Sequence, residues 1–407
     1  MSKYSSIYSK SLEARELLRG IAHKTRLDLS TTFSRITQGD VYLKLENLQK
    51  TGSFKVRGAT YAMSKLSDSE KKAGVIAASA GNHAQGVAYA ASRLGIKSTI
   101  VMPAFSPIAK IQATESYGAK IVLHGEAFDD ALARAMELSE KTGATFLHAF
   151  NDENVIAGQG TIGLEILDEC PDVQVIAVPI GGGGLISGIS IAVKEQRPDV
   201  EIYGVEAASA ASMQASLEAG KIIKIENLDT VCDGIAVKTP GNLTFKICKD
   251  LLSGVKTVEE LEVTRTLFLL LERAKIVVEP AGAVGLAAFH HGKIDIKGKT
   301  AVAVLSGGNI DMSLMSRIVE KELFRLKRSV RVKGSILDRV GSMNKVLGLV
   351  AQSGVSIIEI NQDRTDPDIA PNRAELEMIL EVPDEKALKK MLHLLEKHGL
   401  NFSLYED

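Results

Sequence analysis

Tryptophan is absent from the 407 residues, and phenylalanine and tyrosine together reach only 5%. So few aromatics argue against the base-stacking platforms that single-stranded nucleic acid requires. Charge of one sign is lacking too: 49 Lys and Arg stand against 50 Asp and Glu, a formal charge of −1. Nothing in that balance would draw the chain to nucleic acid or to an anionic membrane. Cysteine is scarce as well. Cys170, Cys232 and Cys248 are odd in number, widely spaced and fit no metal-ligand pattern, so they read as reduced core residues. The opening MSKYSSIYSK has no apolar centre, so a signal peptide is not expected and the expected location is cytoplasmic. One uncharged run, VIAVPIGGGGLISGISIAV at 175–193, is long enough to suggest a membrane span. Pro179 and the glycines would break such a helix, so the run predicts a buried strand, a loop and a helix.

The length implies two or three domains. From about residue 70 to 325, apolar β-rich runs alternate with amphipathic helical segments such as 84–94 and 127–141. The runs at 74–79, 97–103, 119–125, 173–179, 201–207 and 299–308 are nearly continuous in apolar character, as in strands covered on both faces. An α/β fold with parallel sheets follows. Beyond that the pattern changes. Residues 330–336 and 374–382 alternate, and Val340, Met343, Val346, Leu347 and Val350 have helical spacing before Gly354. Leu388, Met391, Leu392 and Leu395 mark another helix. With strands at 355–361 and in NFSLY, the order is βαββαβ, the ferredoxin-like arrangement. The expected division is 1–326 and 327–407, with a smaller subdomain at about 52–150.

Three glycine-rich segments each follow a predicted strand, where open α/β sheets bind ligands: SAGNHAQG (79–86), GGGGLISG (181–188) and SGGNID (306–311). In the second, Gly182, Gly184 and a later Glu206 partly match a dinucleotide fingerprint, but Ser187 replaces the third glycine. Four successive glycines also suit a nest of backbone N–H groups around one phosphate, or a tightly packed strand–helix turn. In NLQKTGSFKVRGA (47–59), Lys55 lies between Phe54 and Val56, with Lys50 and Arg57 close in sequence. Neighbouring cations and partial burial would lower its pKa, as a reactive amine requires. A reactive lysine and a phosphate nest are the minimum set for holding pyridoxal phosphate.

In this order and spacing, KLENLQKTGSFKVRGA, ASAGNHAQGVA, GGGGLISG, EPAGA and SGGN closely resemble the threonine ammonia-lyase family, fold-type II pyridoxal-phosphate enzymes of the tryptophan-synthase-β-like group. The resemblance spans about residues 5–325. It implies that Lys55 is the Schiff-base lysine with Phe54 packed near the ring, and that Asn82 bonds the cofactor's phenolic oxygen. Ser79, Gly81, Asn82 and His83 would receive the substrate carboxylate. Gly181, Gly182, Gly183, Gly184 and Leu185 would hold the phosphate, and Ser306 would face the pyridine nitrogen. Ser306 has a plainer reading as a turn cap, and His83 as a structural histidine.

The implied reaction is deamination of threonine to 2-oxobutanoate and ammonia, and of serine to pyruvate. A serine racemase of the same fold is the nearest rival. Its second acid/base would be a serine where this chain has Ala80, and its metal aspartate would stand where Ser212 does. No divalent site is therefore expected, and Glu206 is left as a monovalent-cation ligand or a strand-end charge. Glu279 of EPAGA has no assigned step. The C-terminal segment resembles an ACT regulatory domain, although its usual Asp-x-Pro-Gly turn reads Asp338-Arg339-Val340-Gly341. That implies a small-molecule effector (isoleucine, valine or a nucleotide) and a homodimer or homotetramer. A non-catalytic sensor is the alternative from another class.

Overall fold

A computed structural model describes residues 3–226 and 228–405. The chain divides into two compact units, Met1–Asp311 and Met312–Asp407. That division precedes the expected cut at 326, because the helix Met312–Arg325 packs against the first strand of the second unit.

Strands are numbered here along the chain. The first unit holds two sheets. The larger runs β1 (Leu27–Leu29), β2 (Asp40–Lys44), β10 (Thr300–Val304), β7 (Val175–Pro179), β8 (Glu201–Ala207), β9 (Gly254–Val258). It is parallel except for β1 against β2. The smaller, wholly parallel sheet runs β5 (Lys120–Leu123), β4 (Ser98–Met102), β3 (Val75–Ala78), β6 (Thr145–Phe146). Every residue of β3 and of β7 is buried, which is why these strands are uniformly apolar. The uncharged run 175–193 forms β7, a glycine loop and the helix Gly184–Lys194. No described helix is long and apolar enough to cross a membrane.

Four strands of this unit escaped the sequence patterns. β1 and β6 are only three and two residues long, and β9 carries Lys256 at the sheet edge. β2 ends in a lysine, which usually signals solvent, yet Lys44 is fully buried. Its amine reaches Glu165 at 2.8 Å and the Thr25 carbonyl at 2.6 Å.

The second unit carries β11 (Ser329–Leu337), a helix Ser342–Gln352, β12 (Ser356–Asp363), β13 (Arg373–Glu381), a helix Glu385–Lys397 and β14 (Phe402–Leu404). The antiparallel sheet order β12-β13-β11-β14 is that of a ferredoxin-like βαββαβ unit. Alternate residues Ala374, Leu376, Met378 and Leu380 of β13 meet Val346, Leu349, Leu388, Met391 and Leu395 from the helices in a separate core. Val340 departs from expectation. It is fully exposed and precedes its helix, because Gly341, with φ +88°, occupies the N-cap.

Candidate active site

Three loops of the first unit leave the C-terminal ends of parallel strands. The loop after β3 enters the helix Asn82–Leu94, that after β7 enters the helix Gly184–Lys194, and that after β10 carries Ser306. They enclose a cavity of about 760 Å³. Every residue that the resemblance assigns to cofactor or substrate lines it: Phe54, Lys55, Ser79, Gly81, Asn82, His83, Gly181 through Leu185, and Ser306. The segment carrying Lys55 is pinned to the Ser306 loop, since Phe54 donates its backbone N–H to the Ser306 carbonyl at 3.1 Å.

Lys55 opens the helix Lys55–Ser64 and sends its amine toward the cavity, 3.4 Å from the Ala149 carbonyl and 5.1 Å from the Phe54 ring centroid. Burial lowers its pKa to about 8, against the attraction of Glu279. Of the two expected causes, burial acts and the flanking cations do not. Arg57 directs its charge elsewhere, into Glu46 at 2.8 Å and Glu165 at 2.6 Å.

Asn82 is held from both sides. Its Nδ2 donates to Glu279 Oε1 at 2.7 Å, and its Oδ1 accepts from Asn309 Nδ2 at 2.7 Å. Glu279 is the N-cap of the helix Pro280–His290 but makes no side-chain cap bond, so its carboxyl is turned to Asn82 instead. Burial, reinforced by the charge of Asp233, raises its pKa to about 7. His83 is buried with Nε2 3.0 Å from the Leu147 carbonyl, which makes Nε2–H the donor. Burial and the charge of Lys55 lower its pKa to about 3, so the ring is neutral at physiological pH. That favours the structural reading of His83 over a proton carrier.

No chemical reason in the sequence selected Glu279, Asn309 or His148. His148 Nδ1 accepts the backbone N–H groups of Phe150 and Asn151, at 3.2 and 3.0 Å, and so shapes the wall opposite which the glycines pack. The signals for Glu279 were its place in the EPAGA motif and a polar residue just before the helix-starting Pro280.

The glycine loop fits a phosphate. Gly183 adopts φ +91° as N-cap of an eleven-residue helix, a conformation that L side chains rarely adopt. A Cβ at Gly182 would lie 2.3 Å from ring atoms of Phe150, so nothing larger passes between. The first-turn N–H groups of that helix have no intrahelical acceptors and lie at its positive end. The dinucleotide alternative finds no such support. Glu206 is buried and accepts the Met213 and Gln214 N–H groups at 2.9 and 2.8 Å, capping the helix Ser212–Ala219. A lysine of lowered pKa and a one-phosphate cradle in a single cavity are what pyridoxal phosphate needs.

Residues 18–307 match the family described as pyridoxal-phosphate dependent enzyme. The chain belongs to that family. Among relatives of this pyridoxal-phosphate enzyme, an L-threonine ammonia-lyase of Thermotoga maritima is 47% identical over 95% of this chain and 96% of its own length. The L-threonine dehydratase catabolic TdcB of Escherichia coli K12 is 44% identical over 75% of this chain and 94% of its own length. The processed form of threonine deaminase isoform 2 from Solanum lycopersicum superimposes with a TM-score of 0.75 at 38% identity, covering 78% of this chain and 94% of that one.

Proposed function

We propose that this protein is a threonine ammonia-lyase that converts L-threonine to 2-oxobutanoate and ammonia, and L-serine to pyruvate and ammonia. The observation that carries this is the opening of the buried Lys55 amine and the Gly181–Leu185 cradle into one cavity. Pyridoxal phosphate would be held by that cradle and anchored on Lys55 until the substrate amine takes the lysine's place, and would then supply an electron-withdrawing ring conjugated to the substrate nitrogen.

Once displaced by the substrate amine, Lys55 Nζ, whose pKa burial lowers to about 8, is partly unprotonated near neutral pH and can take the substrate Cα proton. Ser79, Gly81 and the N-terminus of the helix Asn82–Leu94 receive the substrate carboxylate at the positive end of the helix dipole. Asn82, fixed by Glu279 and Asn309, presents its amide to the phenolic oxygen of the cofactor. Ser306 would offer a neutral hydroxyl to the pyridine nitrogen, a setting that suits elimination of the β-hydroxyl. Loss of that proton and hydroxyl leaves an enamine, which tautomerises and hydrolyses in water.

Ala80 also lines the cavity, and its methyl can neither give nor take a proton. The position at which a racemase of this fold would carry its serine therefore offers no acid/base here. The βαββαβ unit is proposed as an ACT-like domain that takes a small effector (isoleucine, valine or a nucleotide) near Asp338–Met343. A homodimer or homotetramer and a cytoplasmic location belong to the same proposal.

Purified protein with pyridoxal phosphate and L-threonine should release equal amounts of 2-oxobutanoate and ammonia. Borohydride reduction should leave the pyridoxyl label on Lys55, and Lys55→Ala should lose both label and turnover. A label on another lysine overturns the assignment. Chiral analysis of L-serine incubations should show little D-serine; substantial D-serine would instead mark a racemase.

A further inference from the structure

Behind the cavity lies a cluster that the mechanism does not use. Lys44, Glu46 and Arg57 are at most 1% exposed, and Glu165 is 6% exposed. Two cations and two anions thus balance in the interior. Arg57 fills its guanidinium completely: Nε donates to Glu46 Oε2 at 2.9 Å, and one terminal nitrogen donates to Glu165 Oε1 at 2.6 Å and Thr161 Oγ1 at 3.1 Å. The other donates to Glu46 Oε1 at 2.8 Å, Glu165 Oε2 at 2.9 Å and the His23 carbonyl at 3.0 Å. Thr25 adds a hydroxyl bond to Glu46. A buried ion cluster of this kind is seldom more stable than apolar residues of equal volume, so its retention points to a geometric task.

The task is visible in what the cluster joins. Arg57 and Lys55 sit two residues apart at the start of one helix, so their side chains leave on opposite faces, one to the cluster and one to the cavity. Glu46 follows β2, whose Lys44 carbonyl accepts from Leu305 N–H at 2.9 Å, while Asn47 N–H donates to the Leu305 carbonyl at 2.9 Å. Leu305 precedes Ser306, and Glu165 lies on the helix Glu153–Glu169 that packs against the Lys55 helix.

Taking Lys55 as the cofactor-bearing lysine, as proposed above, we infer that Arg57, through its bidentate bonds to Glu46 and Glu165, positions the Lys55 amine against the Ser306 loop. Arg57 touches neither the substrate nor the cofactor; it is a positioning residue. A lysine in its place would keep the charge and lose the planar fork.

The test uses the full-length holoenzyme with Arg57→Lys. Displacement of the amine by a fraction of an ångström should lower kcat for threonine on the order of tenfold to a hundredfold, with KM changed less than about threefold. The pH midpoint of the visible absorbance of the bound cofactor should move as well. If Arg57→Lys does not fold, the double variant Arg57→Met/Glu46→Leu removes one charge of each sign and leaves the Lys44–Glu165 pair intact. It should show the same kinetic and spectral changes. A lower melting temperature with wild-type kcat and an unmoved midpoint would mean a structural role only and overturns the inference. Borohydride mapping keeps two failures apart. A label still on Lys55 with unchanged kinetics rejects the positioning alone, whereas a label elsewhere rejects the Lys55 assignment and the positioning together.

Discussion

At the scale of single residues, the cavity separates three ionisable groups by burial. Lys55 is lowered to about 8, His83 to about 3, and Glu279 is raised to about 7. Each is shifted toward its neutral form, as a low-dielectric site demands. For Lys55 the consequence is a rate. The unprotonated amine is the nucleophile, so capture of pyridoxal phosphate by cofactor-free protein should accelerate with pH and level off above about 8. A solvated lysine, at its ordinary 10.5, would go on accelerating. Stopped-flow absorbance would check this, and a rate still climbing at pH 10 would contradict it. The same shift has a sign in stability. Between about 8 and 10.5 the unfolded chain holds the Lys55 proton that the folded chain has lost, so this group makes stability rise with pH across that window. Glu279 acts in the reverse sense. The folded carboxyl keeps its proton up to about 7 while the unfolded one releases it near 4.5, so its contribution falls as pH rises between them. In Glu279→Gln that loss of stability should disappear from the pH dependence of Tm in cofactor-free protein.

At the scale of elements, function depends on three strand-to-helix turns, of which the glycine turn is the least tolerant. Gly183 combines φ +91° with a hypothetical Cβ 2.8 Å from the Thr244 Cβ. Gly183→Ala should therefore cost about 1–2 kcal/mol in backbone strain alone. Displacement of the loop should weaken pyridoxal phosphate binding on the order of tenfold, a change of about 1.4 kcal/mol. Equilibrium dialysis would measure it, and unchanged affinity would remove the loop from the phosphate site. The turn also meets the first turn of the helix Asn242–Leu251: Thr244 Oγ1 donates to the Gly182 carbonyl at 2.6 Å. Across the cavity mouth, Lys110 pairs with Asp233 at 2.8 Å and Lys238 with Asp129 at 3.3 Å, joining the smaller subdomain to residues 233–238. These pairs are partly exposed and so individually weak.

At the scale of the whole molecule, chemistry and regulation are proposed to lie in different units. All the residues assigned to catalysis lie in Met1–Asp311, and the βαββαβ unit has its own apolar core. The E. coli relative matches 75% of this chain with 94% of its own length, so the catalytic portion has a counterpart of nearly that extent. A stop after Leu326 keeps the helix Met312–Arg325 whole. The shortened protein should deaminate threonine at a rate within about threefold of the full chain, as expected when substitutions fall outside the site. It should no longer respond to the effector, whose coupling is expected to be about 1–3 kcal/mol, roughly 5- to 150-fold in apparent affinity. Threonine saturation curves with and without effector test both halves. Sensitivity that survives truncation at the same effector concentration would place the regulatory site in the catalytic unit.

The amino-acid sequence by itself determined the elements whose side chains face one environment. β3 and β7 are uniformly apolar because both faces are covered, and β13 alternates because only one is. The lysine and glycine motifs were legible because their chemistry depends on residue type and local backbone: an amine beside Phe54, and glycines where φ is positive or a ring is close. Tertiary structure decided whatever depends on residues distant in the chain. Lys44 could end a buried strand only because Glu165 meets it there, and Arg57, close to Lys55 in sequence, was neutralised by Glu46 and Glu165 on the opposite face. Glu279 acquired a chemical setting only when the fold buried it and brought it to Asn82, 197 positions away. Periodicity and composition report the average environment of a segment, whereas the charge state of a buried group depends on its particular partners, and those are set by packing.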